Sequence, residues 1–69
     1  MNRTPVTSSN VASVGYDAKT MTLEVGFNSG SVYQYFDVPE AEYLGLMSAS
    51  SVGRYLNKNI KGRYRYTQI

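Results

Sequence analysis

The sequence predicts an α+β fold: an antiparallel β-meander, then two helices, then a short C-terminal strand, in the order β-β-β-α-α-β. Three observations carry this reading. Residues 11–36 alternate apolar and polar side chains with a period near two. Residues 39–60 change to helical spacing, with Pro39, Ser50 and Ser51 where helix starts need them. Residues 63–67 alternate once more. Strands followed by helices pack as a sheet with its helices on one face.

The first strand spans Val11 to Tyr16, with Ala12, Val14 and Tyr16 on one side, and Asp17-Ala18-Lys19-Thr20 is a turn. The clearest strand runs from Met21 to Phe27. There Met21, Leu23, Val25 and Phe27 alternate with Thr22, Glu24 and Gly26. Ser31 to Phe36 is its hairpin partner, and the loop between them sets which face the tyrosines take. A two-residue turn at Ser29-Gly30 would place Val32, Gln34 and Phe36 beside Leu23 and Val25. A three-residue loop with Gly30 left-handed moves the register by one residue and puts Tyr33 and Tyr35 there instead. The second is favoured, because glycine suits the left-handed position and the other register would bury Gln34.

Pro39 fits the first turn of a helix near 39–48, with Glu40 and Glu42 at its positive end. Tyr43, Leu44, Leu46 and Met47 fall in one stripe of that helix. Ser50 or Ser51 caps a second helix near 51–60, with Val52, Tyr55, Leu56 and Ile60 on its apolar face and Gly62 as its stop. Arg54, Lys58 and Lys61 share the opposite stripe. In Arg63-Tyr64-Arg65-Tyr66 strand alternation separates arginines from tyrosines. Residues 1–9 read as a flexible N-terminal arm and residues 10–69 as one domain.

Composition excludes much chemistry. The chain of 69 residues has no Cys and no His, so it lacks a disulfide, a thiolate nucleophile, the commonest zinc ligand and the usual base near neutral pH. Glu40 and Glu42 lie two apart on a helix and do not face each other. Ser51-Val52-Gly53 lacks the lysine and further glycines of a phosphate loop. No enzyme, cofactor or metal site is expected. No segment nears the roughly 20 apolar residues of a membrane span. Met1 to Asn10 has no apolar run for a signal peptide, so a cytoplasmic location is expected.

Net charge is +2, but residues 1–42 carry −3 and residues 43–69 carry +5 with no acid. A basic end points to an anionic partner, or serves only as a solvated surface.

The motifs resemble those of the KTSC domain family. They are Ser8-Ser9-x-Val11-x-x-Val14-Gly15-Tyr16, Leu23-x-Val25-x-Phe27-x-x-Gly30, Val32-Tyr33-x-Tyr35 and Val38-Pro39. Tyr43, Ala49-x-Ser51-x-Gly53, Leu56-Asn57-x-x-Ile60 and Tyr64 continue the likeness, which runs from about Ser8 to Tyr66. Leu56 departs from it, since an aromatic residue is expected there. The family is named for the C-terminus of some bacterial lysyl-tRNA synthetases and also occurs as small stand-alone bacterial and phage proteins. The resemblance places the family's Tyr-x-Tyr signature on Tyr33 and Tyr35, and its synthetase context implies RNA binding.

Two functions follow. The first is a small non-catalytic module that binds RNA or another nucleic acid. Its candidate residues are Arg54, Lys58, Lys61, Arg63 and Arg65 for phosphates, with Tyr64, Tyr66 and also Tyr55 for stacking on bases. The second is a module that binds a protein partner or a second copy of itself through a tyrosine-rich face or a sheet edge. Seven tyrosines serve either reading, or serve only as core and rim.

Overall fold

The computed structural model describes residues 1–69. Five strands form one antiparallel sheet in the order in which they occur: β1 (Thr4–Pro5), β2 (Val11–Asp17), β3 (Thr22–Phe27), β4 (Val32–Tyr35) and β5 (Tyr66–Gln68). Between β4 and β5 come α1 (Glu40–Ser48) and α2 (Val52–Tyr55), which runs on into a π-helical turn at Leu56–Ile60. The element order is therefore β-β-β-β-α-α-β, which is the expected α+β order with one strand added at the start. The boundary expected between an arm at 1–9 and a domain at 10–69 does not follow the sheet. Thr4 pairs with Val14, Pro5 pairs with Ser13, and Val6 N–H donates to Ala12 O at 3.0 Å.

The hairpin loop is the three-residue one. Phe27 N–H donates to Ser31 O at 2.8 Å, Gly30 N–H donates to Phe27 O at 2.9 Å, and Gly30 has φ +98°. Leu23 then stands opposite Tyr35 and Val25 opposite Tyr33, while Gln34 faces Glu24 on the other side. Other expectations needed correction. A register shift between Val11 and Ser13 makes Ala12 a bulge, so Val11 rather than Ala12 joins Val14 in the core. Met21 is not on the strand. It closes a four-residue turn with φ 56° and is 39% exposed. Leu44 lies about 100° round the helix from Tyr43 and is 56% exposed, so Tyr43, Leu46 and Met47 make the inward stripe. The last strand begins at Tyr66 and not at Arg63, because residues 61–64 form a turn and a bend.

The core lies between the sheet and the helices. Val11, Val14, Leu23, Val25 and Tyr35 meet Val38, Leu46, Val52, Leu56 and Ile60. Ser51 caps α2, its hydroxyl accepting from Arg54 N–H at 3.3 Å. The π turn shows as Lys61 N–H donating to Leu56 O at 2.9 Å, and Gly62 follows with φ +81°. On the outer face of the sheet, buried Glu24 accepts from Gln34 Nε2 at 2.9 Å and pairs with Arg3 Nε at 3.6 Å. Arg3 lies so close over Gly26 that a Cβ there would sit 2.9 Å from its guanidinium.

One carboxylate joins the three segments that close over the core. Glu42 on α1 accepts from the Tyr55 hydroxyl of α2 at 2.9 Å and from the Tyr64 hydroxyl of the C-terminal segment at 2.9 Å. The hydrogen bond to Glu42 raises the Tyr55 pKa above its ordinary 10.0, with desolvation adding to it. Desolvation raises that of Tyr64 first, and its bond to Glu42 adds to this. Beside them, Tyr16 stacks on Tyr43 with centroids 5.0 Å apart and donates to Val38 O at 2.5 Å.

Two outcomes follow from this packing. Gly30→Ala meets no neighbour, since nothing lies within 4 Å of its Cβ. Its cost is backbone strain alone, about 1 kcal/mol, read as a lower urea midpoint with an unchanged slope. The raised tyrosines give a pH signature. A folded-state pKa above the unfolded value gives stability that is complete below the unfolded pKa and lost as pH rises through the folded one. Urea midpoints should hold up to about pH 10, the ordinary tyrosine value, and fall beyond it. In Tyr64→Phe that alkaline fall should be shallower. An equally steep fall in the variant would show that Tyr64 does not contribute.

Candidate functional site

The sheet is wider than its helical cover, and at the β4–β5 end its inner face is open. The strand register that puts Tyr35 in the core also puts Tyr33 and Tyr66 on that face. There they line an open groove of about 710 Å³ with Phe27. Phe27 meets Tyr33 edge to face at 5.7 Å, Tyr66 lies 5.8 Å from Tyr33, and Tyr35 forms the floor 5.9 Å from Tyr66. Tyr66 is 61% exposed. Lys61 Nζ stands 5.2 Å from the centre of the Phe27 ring. Asn10, Asn28 and Ser31 supply polar groups at the rim, and no acid lines the groove. Burial, then the neighbouring Tyr33 and Tyr66, raises the Tyr35 pKa, so its hydroxyl is protonated near neutral pH.

The residues singled out from the sequence do not gather at one place. Lys61 and Tyr66 line the groove. Arg63, Tyr64 and Arg65 flank a neighbouring hollow that shares Gly62 and Tyr66 with it. Arg65 pairs with Asp37 at 2.8 Å, but both side chains are largely exposed, so the pair contributes little. The hydroxyls of Tyr64 and Tyr55 are taken up by Glu42. Arg54 and Lys58 line a second polar hollow with Asn57, which meets the groove at Ser9 and Asn10. The stripe expected for Arg54, Lys58 and Lys61 holds for its first two members. The π turn then breaks the α-helical phase and delivers Lys61 to the Phe27 ring.

Phe27 and Tyr33 were not among the sequence candidates. Their strand period gives them the core face, and a core face becomes a binding surface only where the helices stop short. The signal available was length. Two short helices cannot roof five strands. No group of three or more His, Cys, Asp or Glu side chains comes together, and no helix is long and apolar enough to cross a membrane.

Known proteins are similar to this chain in fold or in sequence. A KTSC domain protein from Yersinia pestis, solved as a crystal structure, superposes with a TM-score of 0.96 at 41% identity, covering 99% of this chain and 96% of that one. An uncharacterised protein of Stutzerimonas stutzeri is 41% identical over 70 residues, spanning 100% of this chain and 99% of its own length. A lysine–tRNA ligase of Nostoc punctiforme is 46% identical over 54 residues, which are 78% of this chain but 10% of the ligase. The KTSC domain model matches residues 7–64, and the chain belongs to the KTSC domain family.

Proposed function

We propose that the protein is a small non-catalytic module that binds single-stranded RNA in the aromatic groove. The observation that carries the reading is Lys61 beside Phe27, Tyr33 and Tyr66 in a groove without an acid. Single-strand binders combine rings on which bases stack with cations that follow the phosphates. Tyr66 and Tyr33 offer the ring surface. Lys61 offers the nearest cation, and Arg63 and Arg65 continue the positive charge along the adjoining hollow. The occurrence of the same domain within lysine–tRNA ligases supports an RNA ligand. Arg54 and Lys58 line a polar hollow that meets the groove at Ser9 and Asn10 but holds no ring itself, and they play the smaller part.

Fluorescence anisotropy with a short unstructured RNA tests the reading. Affinity should fall with salt by about 0.7 log units per log unit for each phosphate neutralised. Tyr66→Ala should weaken binding by about 1–3 kcal/mol, roughly five- to 150-fold, and Lys61→Glu should reduce both affinity and salt slope. Arg54→Glu/Lys58→Glu should change affinity far less than Lys61→Glu. Tyr66 and Lys61 are both exposed, so each variant should keep the parent melting temperature. No binding at low salt, or equal binding by Tyr66→Ala, would overturn the proposal.

A further inference from the structure

The sheet ends differently at its two edges. On β1, Pro5 lacks an N–H, which limits pairing with another strand. On β5, Tyr66, Thr67 and Gln68 are all exposed, and none is proline or charged. Ile69 N–H donates to Val32 O at 2.9 Å, and Phe36 N–H donates to Arg65 O at 2.9 Å, on either side of the Thr67–Gln34 pair. An antiparallel ladder bonds through alternate residues. Arg65, Thr67 and Ile69 therefore turn their backbone groups inward to β4. Tyr66 and Gln68 turn theirs to the open edge.

We infer that this edge pairs antiparallel with β5 of a second copy, about a two-fold axis at Thr67. That register sets Tyr66 opposite Gln68 of the second copy and Thr67 opposite Thr67. The facing residues are those whose N–H and C=O point outward, so each pair exchanges both of its hydrogen bonds. An axis between Tyr66 and Thr67 would instead set outward groups against inward ones. The side chains agree with the register at Thr67. The two threonines meet on the outer face as a β-branched cross-strand pair, and Arg65 falls opposite Ile69, so no like charges oppose. Two five-stranded sheets become one of ten strands.

In an antiparallel edge pairing the axis runs perpendicular to the sheet, so the helices of both copies lie on one side. Tyr66 belongs both to β5 and to the groove, and the two aromatic grooves adjoin across the axis. The shared strand is short, so association is weak and depends on concentration rather than being obligate.

Sedimentation equilibrium of the full chain, from micromolar to millimolar concentration, tests the pairing. The weight-average mass should rise from that of the 7.7 kDa chain towards twice that value. Gln68→Pro removes one outward donor, leaves the inward bonds of Thr67 intact and gives β5 the kind of edge that Pro5 gives β1. It should remain at the mass of one chain throughout, with the parent melting temperature. Thr67→Lys sets lysine against lysine at the axis and should also abolish the rise, which covers the case in which proline disturbs β5 itself. A wild-type mass that never rises, or a rise that survives in both variants, would overturn the inference.

Discussion

The loop Asn28-Ser29-Gly30 fixes how β3 and β4 pair, and most of the molecule depends on that pairing. With Gly30 left-handed, Leu23 meets Tyr35 and Val25 meets Tyr33. Aliphatic and aromatic side chains then share the inner face, while Gln34 and Glu24 bond to each other outside. A slip of one residue would exchange the faces, burying Gln34 and stranding both tyrosines in water. A domain this small has no spare apolar surface with which to offset that loss. The same register carries through to β5, where Tyr66 takes the face of Tyr35. Core and groove are therefore two parts of one surface, distinguished only by whether a helix covers them.

The cover is positioned by polar contacts as well as by the apolar core. Glu42 holds the hydroxyls of Tyr55 and Tyr64, and so ties α1 to α2 and to the segment leading into β5. The π turn at Leu56–Ile60 keeps Leu56 and Ile60 buried while redirecting Lys61 to the groove. Arg3 does comparable work on the outer face, where it crosses Gly26 to reach Glu24 and holds the first residues against the sheet.

Much of this was legible in the sequence because it follows from local rules. The alternation over β3, glycine as the third loop residue, proline before α1 and serine at the start of α2 each name a backbone state. The structure adopts all four. What was illegible depends on tertiary context. Thr4 and Pro5 are too few to show a period, and they become a strand only because β2 offers them an edge. The Ala12 bulge and the π turn each insert one residue into a regular pattern, which moves Val11 inward and Lys61 aside. The candidate site followed the same division. Basic residues near the C-terminus could be counted, but their division between a groove and two hollows that adjoin it could not. Tyr64 and Tyr66 are two apart in the chain, yet one binds Glu42 and the other lines the groove, because the strand starts later than the alternation implies.

The proposed ligand site is the uncovered aromatic end of the inner face, and the proposed ligand is single-stranded RNA. The most direct measurement is a two-dimensional NMR titration of isotope-labelled protein with a short unstructured RNA. The account predicts that the shifted amides cluster at Phe27, Asn28, Tyr33, Lys61, Gly62 and Tyr66, together with the ring signals of Tyr33 and Tyr66. Shifts confined to Arg54, Asn57 and Lys58, or a spectrum unchanged at saturating RNA, would contradict it.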